Sequence, residues 1–210
     1  MATVLSPPEQ RMVLDNISWE TYERILEDHR DKSVPRFTYD RGRLEIMSPS
    51  PEGEKLKENT ALLVNAVAEG MDIDIEGLGS TTFRREDLDR GFEPDGCFYI
   101  QNVKRVKGKT ELDLRTDPPP DVVIEIDITN PSINKFPIFA QLGVPEVWRY
   151  DGGRWMVLAL ADGEYIEQAA SIALPGLTAA LILRFLEESQ TLRRPDWLKR
   201  VREWARQLQA

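Results

Sequence analysis

The 210-residue chain holds one cysteine, Cys97, and one histidine, His29. A single thiol allows no intrachain disulfide and no thiolate metal cluster, which fits a reducing cytoplasm. A single imidazole excludes zinc sites built on several histidines and leaves little for histidine-based triads. His29 lies in the charged stretch EDHRDK and reads as a solvated surface residue. There is no GxxxxGK[ST] and no GxGxxG, so no loop is available to cradle phosphates. No window approaches the run of about 18 apolar residues that marks a membrane span. MATVLSPPEQ lacks a basic start followed by an apolar run, so no secretory leader is expected. Positive charge is also scarce. Lys and Arg number 27 against 36 Asp and Glu, a net charge of −9. That balance argues against nucleic-acid binding by bulk electrostatics but leaves room for a local basic groove. Carboxylates, lysines and oxygen-liking metals remain as the means of chemistry.

What is present is an ordinary globular composition, 41% apolar, enough for a sizeable core. Residues 1–17 read as a loose arm. Ser18 can cap a helix to about residue 30. PRFTYDRGRLEIMSP gives two short strands around Asp40–Gly42, and SPSPEG starts a helix over about 52–69. DIDIEGLGSTTFRR holds two short strands, and GFEPDGCFYIQN another, with Asp95 near its start. VKRVKGKTELDLRTDPPP reads as a basic hairpin or loop. A helix over 132–142 ends at Gly143. PEVWRYD and RWMVLAL form a strand pair to which EYIEQ adds a third, and LPGLTAALILRFLEES is a helix. Trp197, Val201, Trp204 and Leu208 make a helical stripe that fits packing on the domain or on a partner subunit. The mixture predicts an α/β domain over residues 1–190 and an amphipathic helix over 191–210.

DVVIEIDITN, residues 121–130, reads as a buried strand interrupted by two acids. Glu125 and Asp127 are two apart and share a face. Acids among Val and Ile are costly unless paired or bound to a metal. Asp95 opens another apolar strand, CFYI. If the strands adjoin, Asp95 and Glu125 converge on one divalent cation, and the Ile126 carbonyl can add a third oxygen. Mg²⁺ suits such a set. Lys135, ten residues beyond Glu125, could then stabilise developing charge. Taken singly, each acid also fits a strand edge facing water, and Lys135 a solvated lysine.

RGRLEIMSPSPE, EPDGCFYI, PPPDVVIEI, KFPIFAQLGVPEVWRYD and LPGL occur in an order that resembles the Uma-two family of restriction endonucleases, over residues 15–190. That resemblance implies the PD-(D/E)XK fold: a restriction-endonuclease-like core with a mixed central β-sheet flanked by helices, here with a C-terminal helix. It implies that Asp95 and Glu125 bind Mg²⁺ or Mn²⁺. Asp127 stands where the lysine usually lies, and Lys135 matches a lysine moved to the next helix. Glu54 is a candidate helix acid and Asp127 an accessory acid. The implied activity is metal-dependent hydrolysis of DNA; the apolar helical tail and the need of many nucleases to cut two strands add the expectation of a homodimer, and the single cysteine that of a cytoplasmic location. Arg84, Arg85, Lys104, Arg105 and Lys107, with Lys109, are the candidate phosphate contacts, or else a solvated basic hairpin. The other reading is a nuclease-like fold used without catalysis as a binding or assembly module.

Overall fold

A computed structural model describes residues 9–128 and 133–208. In chain order the elements are β1 (Gln10–Leu14), α1 (Trp19–Asp28), β2 (Arg36–Asp40), β3 (Arg43–Ser48), α2 (Pro51–Gly70), β4 (Glu76–Gly77), β5 (Phe83–Arg85), β6 (Arg90–Phe92), β7 (Gly96–Tyr99), α3 (Val103–Val106), β8 (Val122–Ile126), α4 (Phe136–Leu142), β9 (Glu146–Tyr150), β10 (Trp155–Ala161), β11 (Glu164–Glu167), α5 (Ala179–Thr191) and α6 (Arg194–Gln207). The fold is α/β, as expected, but the strands divide between two sheets. One runs β1-β3-β2-β6-β5 and the other β11-β10-β9-β8-β7-β4.

The five-stranded sheet is antiparallel throughout. Its β2–β3 hairpin turns through Arg41 and Gly42, both at positive φ (48° and 88°). That pair of left-handed residues matches the twist of a tight hairpin. Alternation along β2 and β3 sends Phe37, Tyr39 and Leu44 to one face, against Tyr22 and Leu26 of α1. Ser18 caps α1 by accepting the Thr21 N–H at 3.2 Å. The register sets Arg11, Arg36 and Glu45 on the opposite face. β1 falls where a loose arm was expected; residues 1–8 of that arm lie outside the described residues.

The six-stranded sheet is mixed. β8 pairs antiparallel with β7 and parallel with β9. Parallel neighbours need a crossover, and α4 supplies it. All five residues of β8 are buried. Val122, Ile124 and Ile126 join a core built with α2, α5 and α6. Val123 points the other way, into a core with Ile138, Phe139 and Leu142 of α4. Glu125 and Asp127 share the face of Val123.

Two other expectations change. Phe136, not residue 132, begins α4, because Pro137 has no N–H and fits only a first helical turn; residues 129–132 are not described. The basic segment after β7 takes the loop form of the two expected, not the hairpin, and opens with the short helix α3.

The C-terminal stripe packs within the chain. Trp197, Val201 and Ala205 are buried in the core shared with α2 and α5, and Trp204 meets Phe185 edge-on at 5.3 Å. Leu208, the last residue of the stripe, stays exposed. Arg202 bonds Glu69 at 2.7 Å. The helices approach so closely that a Cβ on Gly70 would lie 2.6 Å from the Ala205 Cβ and 2.8 Å from the Arg202 carbonyl. Gly70→Val is therefore expected to lower stability by about 1–3 kcal/mol through overpacking. A parent-like midpoint in urea denaturation would show that α6 does not lie on α2 in solution.

Candidate active site

Antiparallel register pairs Gly96 with Ile124 and Cys97 with Val123. One step further sets Asp95 opposite Glu125, at cross-strand neighbour distance on one face. The sheet thereby brings together the two acids that sequence alone could not join. Both are buried, at 4% and 3% exposure, so neither faces water from a strand edge. Asp95 Oδ2 accepts the Ile126 N–H at 2.7 Å, which fixes Asp95 against the backbone of β8. Asp95 Oδ1 accepts from Arg36.

Lys135 sits just before α4 and donates from Nζ to Glu125 Oε2 at 2.6 Å. It is buried rather than solvated. Glu125 Oε1 is buried with no hydrogen-bond partner among the described residues. Such an orphaned carboxylate oxygen is uncommon in a folded protein. Burial pushes the Glu125 carboxyl up to about 8; Lys135 opposes this, while Asp95 and Asp127 add to it. Burial pulls the Lys135 ammonium down, but Glu125, Asp95 and Asp127 outweigh it and leave Lys135 above its ordinary value. Lys135 therefore stays charged at neutral pH.

The other predicted acids are held by arginines. Asp127 takes Arg11 Nη2 at 3.2 Å and Arg149 Nε at 2.9 Å. Arg11 also bonds Glu45 at 2.8 Å. Glu54, in the first turn of α2, meets Arg36, which thus links Glu54 to Asp95. Ser50 caps α2 by accepting the Gly53 N–H at 3.1 Å, which places Glu54 at this end of the helix. A cavity of about 310 Å³ opens beside the cluster, lined by Glu125, Asp127, Lys135, Phe136 and Arg149 among others.

The predicted basic residues do not join this site. α3, which carries Lys104 and Arg105 and is followed by Lys107, comes after the end of β7 opposite Asp95. Lys107 bonds Asp74 at 2.7 Å, and Arg105 reaches only the Thr116 carbonyl at 3.5 Å. Lys109 is paired with Asp117. Arg84 and Arg85 lie on β5, the outer strand of the five-stranded sheet, paired with Glu23 at 2.7 Å and Asp87 at 2.6 Å. The cations that do reach the site beside Lys135 are Arg11, Arg36 and Arg149, which sequence reading passed over. Their signal was the one that exposed Glu125: a lone charge within an apolar or aromatic strand, as in RFTY and EVWRY.

The profile of Uma2, described as "Putative restriction endonuclease", matches residues 19–193. The chain belongs to the Uma2 family. Its α/β architecture is consistent with a restriction-endonuclease-like fold, and membership points to nuclease activity. No curated protein matches the Uma2 chain. Among the described residues no group of three or more His, Cys, Asp or Glu is arranged to hold a metal ion. Asp95 and Glu125 stand together, and of their four carboxylate oxygens only Glu125 Oε1 has no partner among the described residues.

The buried carboxyl yields a pH dependence for the metal-free protein. An ordinary glutamate loses its proton near 4.5, whereas folded Glu125 keeps it to about 8. Between those values the unfolded chain has released a proton that the folded chain retains, so stability falls as pH rises. Glu125→Gln is expected to flatten that part of the profile. Thermal midpoints in EDTA across this window check it, and equal slopes in the two proteins would refute it.

Proposed function

We propose that this Uma2 protein is an endonuclease that hydrolyses DNA phosphodiester bonds with Mg²⁺ or Mn²⁺. The observation that carries this reading is the orphaned Glu125 Oε1 beside Asp95, with Lys135 in contact. Hard carboxylate oxygens suit Mg²⁺, which commonly takes one or two carboxylates and completes its shell with water and phosphate oxygens. Asp95 and Glu125 would hold the ion, with the Ile126 carbonyl as a third oxygen. Bound there, the metal supplies Lewis acidity to the phosphoryl group.

The remaining roles belong to the chain. Lys135 keeps its proton and offers a cation to the charge that develops on the phosphoryl oxygens. Its Glu125 contact keeps that ammonium within the cluster. Glu54 and Asp127 bind no metal in this reading; they orient Arg36 and Arg149. DNA is the proposed substrate and the cytoplasm the proposed location. No helix among the described residues is long and apolar enough to cross a membrane. A homodimer remains a proposal based on the need to cut two strands, since most of the apolar C-terminal stripe is buried within the chain.

A second reading has its own observation. Each acid of the cluster already meets a protein cation: Asp95 and Glu54 meet Arg36, Glu125 meets Lys135, and Asp127 meets Arg11 and Arg149. That balance suits a nuclease-like binding module without catalysis. Calorimetric titration with Mn²⁺ separates the two. Saturable binding lost in Asp95→Ala and Glu125→Ala is the nuclease outcome, accompanied by nicking of supercoiled plasmid in Mn²⁺ but not in EDTA. Cleavage retained by both variants removes the site. Lys135→Ala is expected to keep Mn²⁺ binding and lose roughly 100-fold or more in kcat. Circular dichroism must accompany it, since the variant leaves Glu125 buried without its partner.

A further inference from the structure

Four cations reach the carboxylate cluster, and three of them are enclosed. The side chains of Lys135, Arg11 and Arg36 are 8%, 7% and 3% exposed, whereas that of Arg149 is 24% exposed. Arg36 is shared by two acids and Arg11 by three, and Lys135 is bonded to Glu125. Arg149 is bound differently. The parallel register sets it opposite Glu125 on β9, one strand spacing away on the same face. Its Nε alone is engaged, by Asp127 at 2.9 Å. Its guanidinium lies over the Phe136 ring, 5.6 Å from the centroid. The two Nη groups have no acceptor among the described residues, and Arg149 lines the cavity beside Glu125 and Lys135.

A guanidinium held at Nε and backed by a ring is fixed in direction, with its outer edge left to donate. That edge matches two oxygens of one phosphate. Asp127 is itself shared with Arg11, so it does not neutralise Arg149 alone. We propose that Arg149 grips a backbone phosphate of the nucleic-acid strand in the cleft, and that Asp127, steadied by Arg11, is the residue that positions it. The strand in which a second acid seemed misplaced thus carries one acid for the metal and one for a substrate-binding arginine. The proposal rests on the nuclease reading for the identity of the anion.

The test is binding rather than turnover. Fluorescein-labelled single-stranded and duplex oligonucleotides are titrated in Ca²⁺ with parent, Arg149→Met, Arg149→Lys and Asp127→Asn, at several salt concentrations. Arg149→Met is expected to weaken binding roughly tenfold and to reduce the slope of log affinity against log salt by about one. Arg149→Lys keeps the salt slope and recovers part of the affinity. Asp127→Asn weakens binding less, and its effect disappears when Arg149→Met is already present. Mn²⁺ affinity stays at the parent value in both Arg149 variants.

Parent-like affinity and slope in Arg149→Met overturn the proposal, as does an equal loss of Mn²⁺ binding, which would make Arg149 structural. Failure of the parent to bind either oligonucleotide overturns it too. The outcomes separate from those of the nuclease reading. Arg149-dependent binding without cleavage upholds the grip and removes the catalysis. Cleavage that needs Asp95 but is indifferent to Arg149 does the reverse.

Discussion

The burial of Glu125 near the end of β8 is the constraint from which the site is built. An isolated ionised carboxylate cannot be carried into such a core without a partner; it would sooner keep its proton. The chain sets one cation, Lys135, against it by the short path from β8 to α4, and in the metal-free protein the carboxyl still keeps its proton to about 8. One oxygen is satisfied and the other is not. A structural ion pair is expected to fill all its lone pairs, because a buried pair repays its desolvation only when it does. The unfilled oxygen is the feature that the proposed metal role of Glu125 would account for.

The same logic extends to the contact between the sheets. The five-stranded sheet is apolar toward α1 and charged on its other face, where Arg11, Arg36 and Glu45 stand. Arg36 and Arg11 cross to Asp95 and Asp127 of the six-stranded sheet. Charges that would be ruinous singly become tolerable because each sheet brings the opposite sign to the other. The two sheets are therefore joined at the place where the chemistry is proposed. Altering either arginine would disturb the site and the sheet contact together, which is why Arg149, only partly enclosed, is the cleaner probe.

Periodicity made much of the fold legible. Ser18 and Ser50 capped helices where a serine stood before an amphipathic run, and Gly143 closed α4 in the left-handed conformation. Strand β1 was missed because QRMVL carries a polar first half and gains its order only by pairing with β3. The division into two sheets was also not legible, since pairing partners depend on long-range register. At the site, Glu125 and Asp127 revealed themselves as charges within an apolar run. Their arginine partners carry the same mark, a charge within an apolar or aromatic strand, which the clustered basic residues of 104–109 lack. Clustering marks solvated loops, and Lys107 and Lys109 pair there with Asp74 and Asp117 instead.

The position of Lys135 follows from the same electrostatics. A lysine two residues after Glu125, just past β8, would share the face now occupied by Asp127. There it would confront Arg149 on the neighbouring strand and Arg11 from the other sheet. Three cations on one patch would repel one another, whereas Asp127 binds the two guanidiniums together. With an acid in that place, the ammonium must come from another element, and the turn into α4 is the next segment that passes Glu125. Asp127 and Lys135 are thus complementary: the acid holds the arginine of β9, and the turn before α4 brings a cation to Glu125.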